Sequence, residues 1–338
     1  MSSLAMVWYN IPMPDDLDRK TNAILKIISE SREPIGSVEI SEKLKAAGID
    51  MPERTVRYHL KKMSEDGLMN VHWKEGRMIT HKGQDELNNA LVSDKVGFMS
   101  QRIETMAYKM NFDVHEKSGQ VILNVSFIHQ DDFAKAQKVM AEVFKQKLGT
   151  GEMVAVAKQG EEIGGVVVPL GKVAFGTLCS INLNGILLKH AIPVESEFGG
   201  LLQMEDSRPL RFTDIINYSG STLDPHEVFL KSKMTSVRKA AAGAGKILAG
   251  LREIPAASKD EAEAILRRTE SAGLGRALMI GKPGQTVLGM PVGVERVGIV
   301  VPGGLNPIAA VEEAGIETES KALVTMVDYK KLVSFWDL

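Results

Sequence analysis

Three groups of residues in this 338-residue chain have the types and spacing to do chemistry. The first is TLCSINLNG, residues 177–185, which sets the single cysteine, Cys179, beside Ser180 and Asn182 at the end of an apolar run. Small polar residues where a strand hands over to a helix can offer hydroxyls, amides and helix N–H groups to an anion. The same residues also close such turns with no ligand at all. The second group is Arg208 and Arg211 in RPLR. Two adjacent guanidinium groups suit a dicarboxylate, because arginine grips carboxylates in a bidentate fork; Glu205, Asp206 and Asp214 offer them surface ion pairs instead. The third is MPERTVRYHLKK, residues 51–62, where cations gather on one side of a helical repeat.

Bulk properties limit what these groups can be. A chain this long and 44% hydrophobic supports two or three domains, each with its own core. One cysteine makes no internal disulfide and sits near no histidine cluster, so no metal site is expected and a reducing cytoplasm is favoured. Residues 1–16 lack the basic-then-apolar pattern of a signal peptide and read as a flexible tail. The most apolar window, residues 164–188, is interrupted by Pro169, Lys172, Asn182 and Asn184, which a bilayer core penalises, so buried strands are expected there and no membrane. The net charge of −2 says nothing for nucleic acid by itself; its distribution does.

The cationic repeat belongs to a set of three short helices. Residues 17–31 place Leu17, Ile24, Ile27 and Ile28 near one face before a break at EPIGS, and residues 37–47 place Ile40, Leu44 and Ala47 at helical spacing before Gly48. The third helix starts around Pro52, with Asp50 and Glu53 at capping-box spacing, and ends at Gly67. On it Val56, Leu60 and Met63 face a core, while Arg54, Tyr58, Lys61 and Lys62 lie opposite, with Arg57 at the edge. His59 projects toward the packed side and reads as structural. A hairpin wing follows, with Lys74 and Arg77 about its turn. The layout is a winged helix-turn-helix. Arg54, Arg57 and Tyr58 are placed to reach base edges, and Lys61, Lys62 and Arg77 to contact phosphates; Thr55 and Lys74 complete the candidate DNA-binding set.

After a helical connector, strands and helices alternate, the pattern of an α/β or α+β domain. Residues 120–129 alternate Val121, Leu123, Val125 and Phe127 on one face, with 117–119 as the turn from a preceding strand; a helix capped by Asp131 or Asp132 follows. Placing residues 153–196 on 277–320, a shift of 124 (277 − 153), pairs nine identical residues without a gap, among them Gly160/Gly284, Gly165/Gly289, Asn182/Asn306, Glu195/Glu319 and Ser196/Ser320. Lys172 then pairs with Arg296, and TLCSINLNG with VPGGLNPIA, residues 301–309. Gly304 and Asn306 therefore join Cys179, Ser180, Asn182, Arg208 and Arg211 as candidate effector-binding residues. The second copy puts Gly303 where Cys179 stands, and no acid is placed to orient His190 as its base, so an enzyme using Cys179 as nucleophile is not expected. Between the copies, the alanine- and glycine-rich stretch after LDPHE predicts one long helix suited to close packing, against another helix or a second subunit.

The combination of the winged helix with FGTLCSINLNGILLKHAIPVESEFGGLL, SRPLRFTDIINYSGSTLDPHEVF and VERVGIVVPGGLNPIAAVEEAGI resembles the NrpR family, archaeal repressors of nitrogen fixation and assimilation genes. The likeness runs from about Leu17 to the end. It implies a cytoplasmic homodimer on a palindromic double-stranded operator, released by 2-oxoglutarate as allosteric effector, with no other cofactor, and leaves room for a second NrpR-type subunit. The expected division is a tail (1–16), the winged helix-turn-helix (17–82), a connector (83–97) and an effector and dimerisation domain (98–335) with duplicated lobes at about 131–204 and 258–328. The alternatives are a winged-helix regulator that answers another small acid or a protein signal, and a relay subunit that no longer binds DNA.

Overall fold

The computed structural model describes residues 16–31, 33–72, 75–89 and 98–338. Most of the expected tail, part of the connector and Lys74 lie outside the described residues. Contacts divide the chain into two compact units, residues 1–96 and 97–338.

In the first unit, α1 (Asp16–Ser29), α2 (Ser37–Ala46) and α3 (Glu53–Glu65) precede an antiparallel hairpin of β1 (Met69–His72) and β2 (Gly76–Ile79), then α4 (His81–Asn89). Ile24, Leu25, Ile28, Ile40, Leu44, Val56, Leu60 and Met63 form one core. At about 1.5–3 kcal/mol for each such side chain removed from water, this stripe holds the helices together. Gly48 and Gly67 end α2 and α3 at φ +80° and +73°, a conformation that strains any other residue. The capping box expected of Asp50 and Glu53 does not form. Pro52 is the N-cap, and Glu53 turns outward to accept from Ser37 Oγ at 2.8 Å and from the Arg57 guanidinium.

The second unit opens with α5 (Phe98–Lys109). A first copy follows: β3 (Gln120–His129), α6 (Phe133–Lys145), β4 (Met153–Ala157), the short hairpin β5 (Glu162–Ile163) and β6 (Val166–Val167), β7 (Lys172–Leu178), α7 (Ile181–Lys189) and β8 (Glu195–Glu205). A crossover runs through β9 (Arg208–Asn217), α8 (Pro225–Lys231) and α9 (Val237–Ala241). The second copy is β10 (Gly245–Pro255), α10 (Lys259–Ser271), β11 (Met279–Ile280), β12 (Arg296–Pro302), α11 (Asn306–Glu313) and β13 (Thr318–Asp328), with β14 (Val333–Ser334) after it. Two predicted features differ. The stretch read as one long helix is two short helices and a buried strand, because Gly243 takes φ +124° and residues 247–254 are apolar enough to fill a sheet centre. The turn before β3 follows α5, not a strand. Neither Asp131 nor Asp132 caps α6 with its carboxylate; Asp132 pairs with Lys135.

The repeat extends one strand further upstream than sequence identity shows. α6 and α10 are offset by 126 (259 − 133), whereas the asparagines are offset by 124 (306 − 182), so the second copy is two residues shorter between them. Both sheets are five-stranded and antiparallel, ordered β13-β3-β7-β4-β14 and β11-β12-β10-β8-β9. Each therefore takes three strands from one copy and the last strand of the other. Completed that way, each has the 4-1-3-2 order of a split βαβ (ferredoxin-like) unit. The helices follow: α6 of the first copy packs on α11 of the second, and α10 on α7.

The paired residues explain themselves in this arrangement. Lys172 of β7 meets Glu319 of the exchanged β13, and its counterpart Arg296 of β12 meets Glu195 of the exchanged β8 at 2.6 Å. Gly160 and Gly284 share positive φ, as do Gly165 and Gly289. Asn182 and Asn306 are both fully buried. Asn182 Oδ1 accepts from Ile122 N–H at 2.7 Å, while its Nδ2 donates to the carbonyls of Ile122 and Cys179. Asn306 does the same to Leu248 N–H and the carbonyls of Leu248 and Leu148. Each clamps the start of its helix to the first strand of its own copy. Asn306→Ala leaves three buried backbone groups unpaired and is expected to cost about 3 kcal/mol or more; a urea midpoint change worth under about 1 kcal/mol would contradict the clamp.

Candidate DNA interface and effector crevice

The exposed side of α3 carries Arg54, Thr55, Arg57, Tyr58, Lys61 and Lys62, and the buried side carries Val56, His59, Leu60 and Met63. The amphipathic repeat therefore delivers the predicted set to solvent as a group. Tyr58 is 65% exposed, far more than a core aromatic would be. Arg57 is held by Glu53 at 2.6 Å, one helical turn earlier, which fixes its direction along the helix; the same contact holds the Glu53 carboxyl below its usual range. Lys61 and Lys62 are free of short contacts to other elements, Lys61 having only Glu65 at 3.9 Å. Arg77 sits differently. Its backbone pairs with Ile35, its side chain is half-buried, and its Nε has no hydrogen-bond partner among the described residues. His59 is 4% exposed, and burial lowers its pKa, with Lys20 and Lys62 adding to the effect.

In the second unit the two strand-to-helix turns meet. At Gly304 a Cβ would come within 2.0 Å of the Leu178 carbonyl oxygen and 2.6 Å of Asn124 Nδ2, so only glycine lets the two copies approach this closely. Around the contact is a closed cavity of about 10 Å³, the space of one water. Cys179, Ser180, Tyr218, Asp224, His226, Gly304 and Leu323 are on its wall. Leu323 takes φ +52° in a bulge of β13 and donates its N–H to Asn124 Oδ1 at 3.2 Å. Non-glycine residues rarely adopt that backbone, and strain of this kind gathers at functional sites. Asp224 caps α8 by accepting from the N–H groups of His226 and Glu227, and His226 Nε2 bonds the Ala249 carbonyl at 3.1 Å.

The structure gathers Cys179, Ser180 and Gly304 here. It commits the amides of Asn182 and Asn306 to backbone, which makes them supports of the turns. It places Arg208 and Arg211 elsewhere, on the exposed edge strand β9, where Arg211 Nε donates to Gln203 at 2.9 Å. The helix starts at both turns are buried, not open to solvent. Burial pushes the Cys179 thiol up to about 12 and the Tyr218 hydroxyl up to about 12, and drives the His226 pKa down. A thiol of that kind is a poor nucleophile. Sequence reasoning missed Asn124, Tyr218, Asp224, His226 and Arg252. For Arg252 the signal was available: a lone cation in the apolar run KILAGLREIP. The arginine is fully buried, with Nε to Asn184 Oδ1 at 3.2 Å, Nη1 to the Leu251 carbonyl at 3.1 Å, Nη2 to Ser180 Oγ at 3.4 Å, and Cζ 5.4 Å from the Tyr218 ring centre. Beyond Asn184 lies a larger cavity of about 470 Å³.

Known proteins agree with both units. Residues 22–87 match the family model of the Ribonuclease R winged-helix domain, and residues 96–334 match that of NrpR regulatory domains NRD1 and 2. The chain is 37% identical over 323 residues to the Global nitrogen regulator NrpRI of Methanosarcina mazei, covering 95% of this chain and 99% of that protein. It is 30% identical to the Global nitrogen regulator NrpR of Methanococcus maripaludis and 32% identical to that of Methanocaldococcus jannaschii, covering 91% and 87% of this chain but 54% and 51% of those longer proteins. A crystal structure of a nitrogen repressor-like protein from Methanococcus jannaschii superposes with a TM-score of 0.60 at 28% identity, covering 70% of this chain and 97% of that one. No helix among the described residues is long and apolar enough to cross a membrane.

Two outcomes are expected from this geometry. His59 stays neutral in the folded unit, so stability is complete above its ordinary value of 6.5 and is lost as pH falls through 6.5 toward the lower folded value. Amide exchange in α1 to α3 of the full chain, followed from about pH 8 to about pH 5, should show that loss, and His59→Gln should flatten it. Cys179 should resist iodoacetamide at about pH 8.5 in the native chain and react once unfolded; rapid native alkylation would contradict the buried thiol.

Proposed function

The chain belongs to the NrpR family of nitrogen regulators, and we propose that it represses nitrogen fixation and assimilation genes as a cytoplasmic homodimer on a palindromic operator, released by 2-oxoglutarate. The observation that carries the DNA-binding part is the face of α3. Six polar or cationic side chains are exposed there over a helix whose other face is fully packed. In winged helices that element enters the major groove. Arg54, Arg57 and Tyr58 read base edges in this proposal, with Thr55 beside them, while Lys61, Lys62, Lys74 and Arg77 neutralise phosphates and set register.

The effector part rests on the crevice between the two copies. A dimer that reads half-sites about one helical turn apart is sensitive to small rotations of its recognition helices. An effector that prefers the DNA-incompetent arrangement shifts the population away from binding by its difference in affinity for the two states. The polar wall with Cys179, Ser180 and Gly304, closed in this structure, is the place where ligand entry would part the copies. A second NrpR-type subunit sharing the operator fits the same scheme.

A salt-controlled gel shift on the chain's own upstream DNA tests this, since salt sets the electrostatic share of affinity. Arg54→Ala with Arg57→Ala should weaken operator binding by a few kcal/mol in total, about 1–3 for each base-reading arginine. Lys61→Ala should weaken all sequences alike and lower the salt slope by about 1. Saturating 2-oxoglutarate should release the wild-type complex. Affinity indifferent to the arginine changes would make the chain a relay; affinity indifferent to 2-oxoglutarate, partner subunit present, would point to a different signal.

A further inference from the structure

A buried cation without a counter-charge is the least expected feature of the regulatory unit. Arg252 is 0% exposed, and among the described residues it takes part in no ion pair within 4.0 Å. Its guanidinium has only neutral partners: an amide, a hydroxyl, a carbonyl and the Tyr218 ring. The carboxylates around it are committed elsewhere. Glu253 receives Arg296 and the Gly293 N–H, Glu195 receives Arg296, and Asp224 caps α8. Glu197 feels the Arg252 charge but makes no ion pair with it. It is the residue that β8 skips between Phe198 and Ser196, opposite the step from Leu251 to Arg252, and this bulge directs the arginine inward.

Proteins bury arginine where it is paired, because desolvating a lone charge costs several kcal/mol. Here the guanidinium lies behind two walls. Its Ser180 contact belongs to the closed cavity and its Asn184 contact to the 470 Å³ cavity, and Ile103 lines both. Asn184 in turn is held by Ser196 Oγ at 2.9 Å. We propose that Arg252 is the seat for a carboxylate of the effector, reached from the larger cavity by displacing its neutral partners Asn184 and Ser180, with the Tyr218 ring fixing the plane of the fork. This rests on the dicarboxylate reading above and adds the residue that anchors one end of the ligand. A bidentate guanidinium–carboxylate pair supplies the missing counter-charge.

The signature separates an anchor from a structural arginine. Thermal unfolding and calorimetric titration of the full chain with 2-oxoglutarate and with glutarate are the measurements. The wild type should gain stability with 2-oxoglutarate, as a ligand of the native state requires. Arg252→Met should lose that gain while its ligand-free midpoint stays at or above that of wild type, because an unpaired buried charge has been removed. If Arg252→Met fails to fold, Arg252→Lys decides: binding at least about tenfold weaker supports the bidentate seat, and unchanged affinity overturns it. Equal ligand gains in Arg252→Met and wild type overturn the Arg252 seat and leave the 2-oxoglutarate reading standing. A wild-type response to glutarate alone, lost in Arg252→Met, keeps the seat and removes that reading. No response to either acid overturns both.

Discussion

The regulatory unit depends on one exchange: each copy of the repeat gives its last strand to the sheet of the other. β8 pairs with β10, and β13 with β3, so neither four-stranded arrangement is complete without its twin. This makes the duplicated halves a single cooperative body, and it forces the two strand-to-helix turns together at the centre. Gly304 is the steric consequence, since the crossing leaves no room for a side chain between Leu178 and Asn124. The two asparagine clamps are the polar consequence. Helix starts buried at such a crossing have N–H and carbonyl groups that water cannot reach, and one carboxamide with both donor and acceptor satisfies three of them at once.

The same crossing creates an interior where polar chemistry is strong. Tyr218, His226, Cys179 and Arg252 share a nearly dry space, and burial moves the thiol, the phenol and the imidazole all toward their neutral forms. Arg252 alone keeps its charge under those conditions, because guanidinium is not deprotonated in proteins. That contrast is the physical basis for treating the centre of this unit as a recognition site and not as a catalytic one. It also fits a chain whose relatives are regulators.

Much of this was legible in the sequence, for identifiable reasons. α3 was readable because its apolar and cationic residues follow a 3.6-residue period that packing then obeys. The repeat was readable because turns and cross-copy ion pairs need particular residues: glycine at positive φ, and Lys172, Glu195, Arg296 and Glu319 where strands are exchanged. The long helix was misread because alanine and glycine in residues 239–250 fit tight helix packing and tight sheet packing equally well, and only the partner strands decide. Arg208 and Arg211 drew attention by proximity in sequence, while the arginine buried at the crossing stood alone in an apolar strand. Its setting depends on contacts with residues 180, 184 and 218, which no local pattern reveals.

The two halves are alike in backbone but not in polarity. Where the first turn has Cys179 and Ser180, the second has Gly303 and Gly304; opposite Asn184 stands Ile308; and with an offset of 126 the place of Arg252 is taken by Ser126. A symmetric body of this kind would offer two equivalent seats and accept a ligand in either direction. Divergence has left one polar flank and one apolar flank. The stoichiometry that follows is a single carboxylate anchor per chain, with the ligand's orientation fixed, so that a dimer counts two effector molecules and reads their level through two independent, non-interchangeable gates.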